Sequence, residues 1–137
     1  MKWKTLKGRV KEIPTGSYRV DWDGEQGSQF SADILDWLFP YWKADTVLAE
    51  FPVAGTKSRF DYVNLSRHVI LECDGAQHSS FNKHWHKGSR ANYLSQIKRD
   101  LEKDEIARLN GFKMVRINPE DLPLTKEWFL KTYDITL

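Results

Sequence analysis

Two short segments rich in aromatic and branched aliphatic residues carry carboxylates where a strand ordinarily carries apolar side chains. Residues 58 to 64 and 68 to 74 are each typical of a β-strand, and they contain Asp61 in the first and Glu72 and Asp74 in the second. An acid in an apolar strand is costly to desolvate unless a positive or hydrogen-bonding group meets it. Because side chains alternate along a strand, Glu72 and Asp74 are expected to share a face. Converging acids of this kind predict a divalent metal site.

The spacing of Asp61 and Glu72 brings the two carboxylates together at one end of the predicted sheet, since a tight turn joins their strands. Mg²⁺ prefers oxygen ligands and usually keeps several waters, so two carboxylates and a phosphate oxygen suffice to hold it, and Mn²⁺ can substitute. A metal held there would polarise a phosphodiester and lower the pKa of a bound water. The alternative is that these acids lie at exposed strand ends or pair with Arg59 or Arg67. The polar residues that follow the second strand favour the metal site.

Two further residues could complete such a site. His78 follows the second acidic strand, and Gly75 permits a sharp turn that would carry it back over the strand ends. A histidine with a pKa near neutrality can act as a general base toward water or as an acid toward a leaving oxygen. Asp100 lies at the edge of the apolar stripe of a long predicted helix. It is either a solvated surface acid or one that reaches the sheet, and the sequence leaves both interpretations open.

A basic and aromatic cluster follows His78. It comprises Lys83, His84, Trp85, His86, Lys87 and Arg90. Positive charge beside acidic residues favours a phosphate-bearing substrate, a helix N-terminus there would add to it, and Trp85 could stack on a base. A solvated basic loop is the alternative, and the nearby acids favour DNA.

Zinc is the weaker metal hypothesis. His78, His84, His86 and Cys73 are all of types that bind Zn²⁺. Cys73, however, is expected on the opposite strand face from Glu72, where it would pack as a buried side chain. A structural zinc site is therefore not favoured.

The elements that must position these residues follow from periodicity and from turn residues. An N-terminal β-hairpin is predicted at 1 to 23, with its turn at 14 to 17. It is followed by a helix at 28 to 39 and by strands at 46 to 51, 58 to 64 and 68 to 74. A long helix is then predicted at 89 to 110, with a buried stripe formed by Leu94, Ile97, Leu101 and Leu109, and after it come a strand at 112 to 117 and a helix at 126 to 133. This order predicts an α/β fold with a mixed sheet. The basic residues of the hairpin are either protection for an edge strand or a phosphate-contacting arm.

Composition limits the class of protein. The 137 residues are 40% hydrophobic and 13% aromatic, which suits a single compact domain: a hairpin extension at 1 to 27 on a core at 28 to 137. One cysteine excludes an internal disulfide and fits a reducing compartment. No stretch approaches the roughly 20 apolar residues that cross a bilayer, and the N-terminus lacks a signal-peptide pattern. A cytoplasmic protein without membrane contact is expected.

Three motifs in this order resemble the very-short-patch-repair type of the PD-(D/E)xK nucleases. They are E-x-D-G-x-x-H from Glu72 to His78, D-x-x-K at Asp100, and G-F-K-M-V-R-I at 111 to 117. The chain is also similar to phage-encoded homing or nicking endonucleases with an E-D-x-H-D constellation, so the resemblance suggests a bacterial or phage-infected cell. It covers about residues 28 to 122 and implies a restriction-endonuclease-like core. It also implies that Asp61 is the principal metal ligand, that His78 acts on the attacking water, and that Asp100 supports them.

The chain departs from that family at two positions. The family lysine that follows the third-strand acid by two residues is replaced by Asp74, so a lysine-based mechanism is not expected. The repair enzymes also carry a glutamate in the first helix, which residues 28 to 31 lack. Glu25 or Glu50 could substitute, and Glu50 is preferred because its strand runs beside that of Asp61.

The function expected from the sequence is Mg²⁺-dependent hydrolysis of DNA phosphodiesters, with metal ligands Asp61, Glu72 and Glu50 and with Asp74, His78 and Asp100 in the same catalytic set. A non-catalytic DNA-binding module on the same fold and an RNA-directed nuclease are the alternatives. The sequence leaves open nicking or double-strand cleavage, the specificity, and whether the chain forms a homodimer.

Overall fold

A computed structural model describes residues 1–24, 27–74 and 90–137. Its helices and strands are β1 (Lys2–Lys4), β2 (Val10–Glu12), α1 (Gln29–Trp42), β3 (Val47–Pro52), β4 (Arg59–Asn64), β5 (Val69–Cys73), α2 (Arg90–Leu109), β6 (Lys113–Ile117) and α3 (Lys126–Tyr133). Short 3₁₀ helices occur at Gly16–Tyr18 and Pro119–Asp121.

A four-stranded mixed sheet forms the centre, with strand order β3-β4-β5-β6. Strands β3, β4 and β5 are antiparallel neighbours, whereas β5 and β6 pair in parallel from Val69↔Lys113 to Cys73↔Ile117. A parallel pair needs a crossover connection, and α2 lies within it. The predicted α/β class is confirmed. None of the helices in the described ranges is long and apolar enough to cross a membrane.

Both faces of the sheet are covered, and each has its own apolar core. Helices α1 and α3 cover one face, and the largest fully buried side chains there are Ile34, Leu35, Leu38, Trp42, Leu71 and Phe129. The hairpin and the C-terminal part of α2 cover the other face, with Trp3, Phe51, Phe60, Ile70 and Ile106 fully buried.

Two helices begin at residues whose side chains cap them. The side chain of Ser28 accepts the Ser31 N–H at the start of α1, and that of Thr125 accepts the Trp128 N–H at the start of α3.

The N-terminal hairpin exists, but its predicted turn is wrong. Strands β1 and β2 pair from Lys2↔Glu12 to Lys4↔Val10, so the turn lies at residues 5 to 9 instead of 14 to 17. Gly8 adopts φ +78° in this turn, a conformation that glycine takes without steric cost. Pro14 has no N–H to donate and so cannot extend the ladder.

The predicted buried stripe of the long helix is also wrong over its first half. Leu94, Ile97 and Leu101 are 54%, 39% and 64% exposed, and the buried residues of α2 are Ile106 and Ala107. The 20 residues of α2 span about 30 Å, whereas the five residues of β6 span about 17 Å. The helix is therefore longer than the strand beside it, and the sheet covers only its C-terminal part.

Candidate active site

The hydrogen-bond ladder between β4 and β5 ends in side chains. The last backbone pair is Tyr62↔Leu71. Beyond it, Glu72 Oε2 accepts the backbone N–H of Asp61 at 2.7 Å, and Asp61 Oδ2 accepts the backbone N–H of Cys73 at 2.8 Å. Each carboxylate thus takes the place of a carbonyl in the ladder. The two acids predicted to meet at the strand ends are brought together and fixed by the backbone.

The alternation of side chains is interrupted at the same level of the sheet. Glu50 has φ 51° and lies in β3 opposite Asp61, between the pairs Ala49↔Tyr62 and Phe51↔Phe60. In a regular strand, side chains on the same face are separated by an even number of positions. On β3 and β4, however, residues three positions apart both pack in the core that faces α2: Leu48 and Phe51 on β3, and Phe60 and Val63 on β4. A non-glycine residue held at positive φ costs of order 1 kcal/mol or more, and such residues cluster at functional sites.

A lysine from the neighbouring helix contacts the buried glutamate. Lys103 Nζ lies 2.5 Å from Glu72 Oε1, and the two side chains are 13% and 3% exposed. The sequence places Asp74 two residues after Glu72, at the position of the family lysine, and so does not predict a lysine on this strand. The D-x-x-K spacing was the available indication, because residues three apart lie on one face of a helix.

Among the described residues, the carboxylate pair carries more negative charge than its one ion-paired lysine balances. Burial raises the pKa of Glu72, and repulsion from Asp61 raises it further, although Lys103 opposes both effects. Burial also raises the pKa of Asp61, against the Cys73 N–H and Lys103, and the charges of Glu50 and Asp74 add to the rise. Two desolvated carboxylates that repel one another favour a bound proton or a bound cation.

The side chains of Asp74 and Asp100 both lie close to the guanidinium of one arginine. The guanidinium of Arg116 on β6 has Nη1 at 3.8 Å from Asp74 Oδ2 and 3.7 Å from Asp100 Oδ1. Its Nη2 donates to Asp104 Oδ1 at 2.8 Å and to the Asp100 carbonyl at 3.1 Å. Asp100 therefore reaches the sheet at Arg116, and its role in orienting His78 or a metal-bound water stays a prediction. The hydroxyl of Tyr133 holds the arginine backbone by accepting its N–H and donating to its carbonyl.

Cys73 lies on the opposite face of β5 from the carboxylate pair. Cys73 packs against the core under α1, away from Lys103 and Glu72, as its place in the strand predicts. Burial and the charge of Asp61 raise the pKa of the Cys73 thiol, although the Ser31 hydroxyl opposes them. A raised pKa disfavours the thiolate, which is the form of cysteine that binds zinc. Ser31 lies in the first turn of α1.

Several predicted residues lie outside the described ranges. These are His78 and the basic and aromatic residues Lys83, His84, Trp85, His86 and Lys87, together with Glu25. Their roles remain predictions. Arg90 is exposed at the first position of α2.

Two carboxylates at this site could hold a magnesium-type cation through their oxygen atoms. Within the described ranges no three His, Cys, Asp or Glu side chains converge on one cation position. Mg²⁺, however, is commonly held by one or two carboxylates with waters and substrate phosphates. Asp61 presents Oδ1 as well as its engaged Oδ2, and Glu50 is near enough to raise the pKa of Asp61. Asp61 with Glu72 or Glu50 is thus a chemically suitable set of oxygen ligands.

A basic groove of about 350 Å³ adjoins the carboxylates. It is lined by Lys57, Ser58, Arg59, Gln96, Arg99 and Lys103. Its basic residues come from the start of β4 and from α2, which lie far apart in sequence. No local run of charge marks this groove, and the sequence analysis therefore missed it.

Comparison of the chain with protein-family models, curated proteins and solved structures gives no match. The function is therefore inferred from the residues and their geometry.

Proposed function

We propose that this chain is a metal-dependent endonuclease that hydrolyses phosphodiester bonds in DNA, with a restriction-endonuclease-like core of the very-short-patch-repair type. The order of helix, three antiparallel strands, long helix and parallel strand supports this core. The observation that carries the proposal is the contact between Asp61 and Glu72, each bonded to the backbone beside the other, with Lys103 2.5 Å from the glutamate.

Asp61 is the principal metal ligand in this proposal, with Glu72 or Glu50 as the second. A bound Mg²⁺ or Mn²⁺ would polarise the scissile phosphodiester and lower the pKa of a bound water. The Cys73 N–H orients the Asp61 carboxylate, and the Asp61 N–H orients that of Glu72. Carboxylates fixed in this way need no rearrangement when a cation arrives, which is how preorganised sites favour charge development.

The remaining residues take supporting roles. Lys103 neutralises part of the charge of Glu72 and also lines the basic groove, so its ammonium is placed to stabilise negative charge on a phosphate. His78 transfers the proton of the attacking water or of the leaving oxygen. Arg116 holds Asp74 and Asp100 beside the pair, and the basic residues from Lys83 to Arg90 contact the DNA backbone.

The test is cleavage of supercoiled plasmid with Mg²⁺ or Mn²⁺, and with EDTA, by the wild type and by Asp61→Ala, His78→Ala and Asp33→Asn. Asp33 is an exposed acid on α1 and serves as the matched control. We expect nicked or linear product with metal only, no detectable product from Asp61→Ala, and a rate about 10² to 10⁴-fold lower for His78→Ala, the usual range for a general acid or base. Asp33→Asn should cleave like the wild type.

Two outcomes would contradict the proposal. DNA binding without cleavage of plasmid, mismatched or branched DNA would identify a non-catalytic DNA-binding module. Metal-dependent cleavage of RNA but not of DNA would identify an RNA-directed nuclease.

A further inference from the structure

Two basic grooves lie on either side of the turn between β3 and β4. The hairpin groove, of about 430 Å³, is lined by hairpin residues that include Lys7, Arg9 and Lys11, by turn residues 54 to 56 and by Glu102 of α2. The helix groove is the basic groove already described, formed by 57 to 59 and by α2 from Gln96 to Lys103. The two grooves are therefore adjacent, because consecutive residues line them: 54 to 56 and Glu102 line the hairpin groove, and 57 to 59 and Lys103 line the helix groove.

The hairpin is fixed to the body of the protein. Trp3 is fully buried, and its ring stacks on that of Phe112 with centroids 5.1 Å apart. The backbone of Lys4 donates to Asn110 Oδ1 at 2.8 Å and accepts from Asn110 Nδ2 at 3.1 Å. The hairpin is therefore not a loose arm, and its basic residues hold a defined place beside α2.

The tip of the hairpin also meets the β3–β4 turn closely. Gly55 has φ +78°, and a Cβ at this position would lie 3.2 Å from Cγ2 of Thr5. Thr5 and Gly55 both line the hairpin groove. The groove is consequently a preformed surface, whose relation to the helix groove is set by this contact.

The charge of this surface is strongly one-sided. The two grooves are lined by seven basic side chains, three in the hairpin groove and four in the helix groove, against one acid, Glu102. Lys103 pairs with Glu72, and no ion pair joins the other six to a carboxylate of the described residues. The whole chain has a formal net charge of only +2. Positive charge is therefore concentrated along a path that ends at the Asp61–Glu72 pair.

We propose that the hairpin groove and the helix groove together form one phosphate-binding track, which guides the backbone of duplex DNA to the Asp61–Glu72 pair. This inference rests on the proposed function. Surfaces that bind single strands combine positive charge with aromatic platforms for the bases, and the described lining of both grooves contains no aromatic side chain. A track of charge without stacking platforms suits the paired backbone of a duplex, where the bases are enclosed and the phosphates are exposed.

The test measures binding of a fluorescein-labelled duplex DNA in EDTA, with Asp61→Asn as the background in all proteins so that cleavage cannot interfere. The hairpin variant carries Lys7→Gln, Arg9→Gln and Lys11→Gln, and the helix variant carries Lys57→Gln and Arg99→Gln. The control carries Lys43→Gln, Lys126→Gln and Lys131→Gln, which removes as much charge as the hairpin variant but near α1 and α3. Thermal unfolding checks that all the variants fold.

The slope of log affinity against log salt is negative, and each lost phosphate contact reduces its magnitude by about 0.9. We expect the magnitude to fall by about 3 for the hairpin variant and by about 2 for the helix variant, while the control keeps the background slope. Unchanged slopes in both track variants would overturn the track, even if the wild type cleaves DNA. Lowered slopes without any cleavage by the wild type would support the track and refute the nuclease. Tighter binding of duplex RNA of the same sequence would overturn the assignment to DNA.

Discussion

Strands β3, β4 and β5 carry a polar cluster at each end, and the two clusters are built differently. At the end where β4 finishes, Asn64 is fully buried and donates to Asp45 Oδ2 at 2.9 Å. Arg67 bonds the same oxygen through Nε at 2.6 Å, the Asn64 side chain through its backbone N–H, and the Tyr41 carbonyl through Nη2. One carboxylate meets one guanidinium, and the remaining donors and acceptors are used in hydrogen bonds.

At the other end the charges of the described residues do not balance. Asp61 and Glu72 face one lysine, and the pKa of each carboxyl is raised, chiefly by burial. Glu50 beside them holds a strained backbone conformation. A balanced cluster stabilises the sheet, whereas a cluster with excess like charge lowers stability and persists where a function needs it. The difference favours a structural role for the Asp45–Arg67 end and supports the proposal that the Asp61–Glu72 end is the site.

The largest effect is expected from Lys103→Met. Removal of one partner from a buried pair leaves an uncompensated charge, so the free energy of unfolding at neutral pH should fall by about 3 to 5 kcal/mol. The loss should shrink as the pH is lowered toward the ordinary glutamate pKa of 4.5, because Glu72 then takes up a proton. Urea denaturation over this pH range is the measurement, with the exposed Lys98→Met on the same helix as control. A loss that does not depend on pH would show that Lys103 stabilises through packing alone.

At the structural end, Arg67→Met should lower the free energy of unfolding by about 2 kcal/mol, because a charged hydrogen-bonding group is lost from partly buried partners. DNA cleavage per folded molecule should stay at the wild-type rate. Urea denaturation and the plasmid assay measure the two quantities. Arg108→Met, which removes an exposed pair with Glu105, should cost much less. A large fall in cleavage by Arg67→Met in the folded protein would contradict the structural assignment of this end.

The smallest effect has the opposite sign. Asp61→Asn keeps an oxygen for the Cys73 N–H but removes a like charge, so it should raise the free energy of unfolding at neutral pH by about 1 kcal/mol while abolishing cleavage. The folded chain binds the Asp61 proton more tightly than the unfolded chain, since burial raises its pKa. Ionisation therefore opposes folding, and the opposition is lost as the pH falls through the raised pKa toward the ordinary value of 3.8.

The advantage of Asp61→Asn should disappear over the same pH range, as measured by urea denaturation. Asp45→Asn provides the comparison at the other end, where loss of the pair with Arg67 should lower stability. If both asparagine variants changed stability in the same direction, the contrast between the two ends would fail.

Most of the secondary structure after residue 28 follows from local signals in the sequence. Strands β4 and β5 and helix α2 agree with their predicted ranges to within one residue at each end, and α3 at Lys126–Tyr133 agrees at both. These elements depend on local signals: apolar periodicity, Ser28 and Thr125 as N-caps, and Gly111 at φ +79° after α2. The proximity of the carboxylates on β4 and β5 could also be predicted, because a tight turn between two strands fixes which residues lie opposite one another.

The surroundings of those carboxylates depend on how the elements pack. The pairing of Lys103 with Glu72, the position of Arg116 between Asp74 and Asp100, and the two basic grooves all join residues from separate elements. The exposure of Leu94 and Leu101 depends on how far α2 extends past the sheet. The position of the hairpin depends on the burial of its Trp3 side chain. Local propensity acts over a few neighbouring residues, whereas charge compensation and burial depend on distances in space that only the packed chain sets.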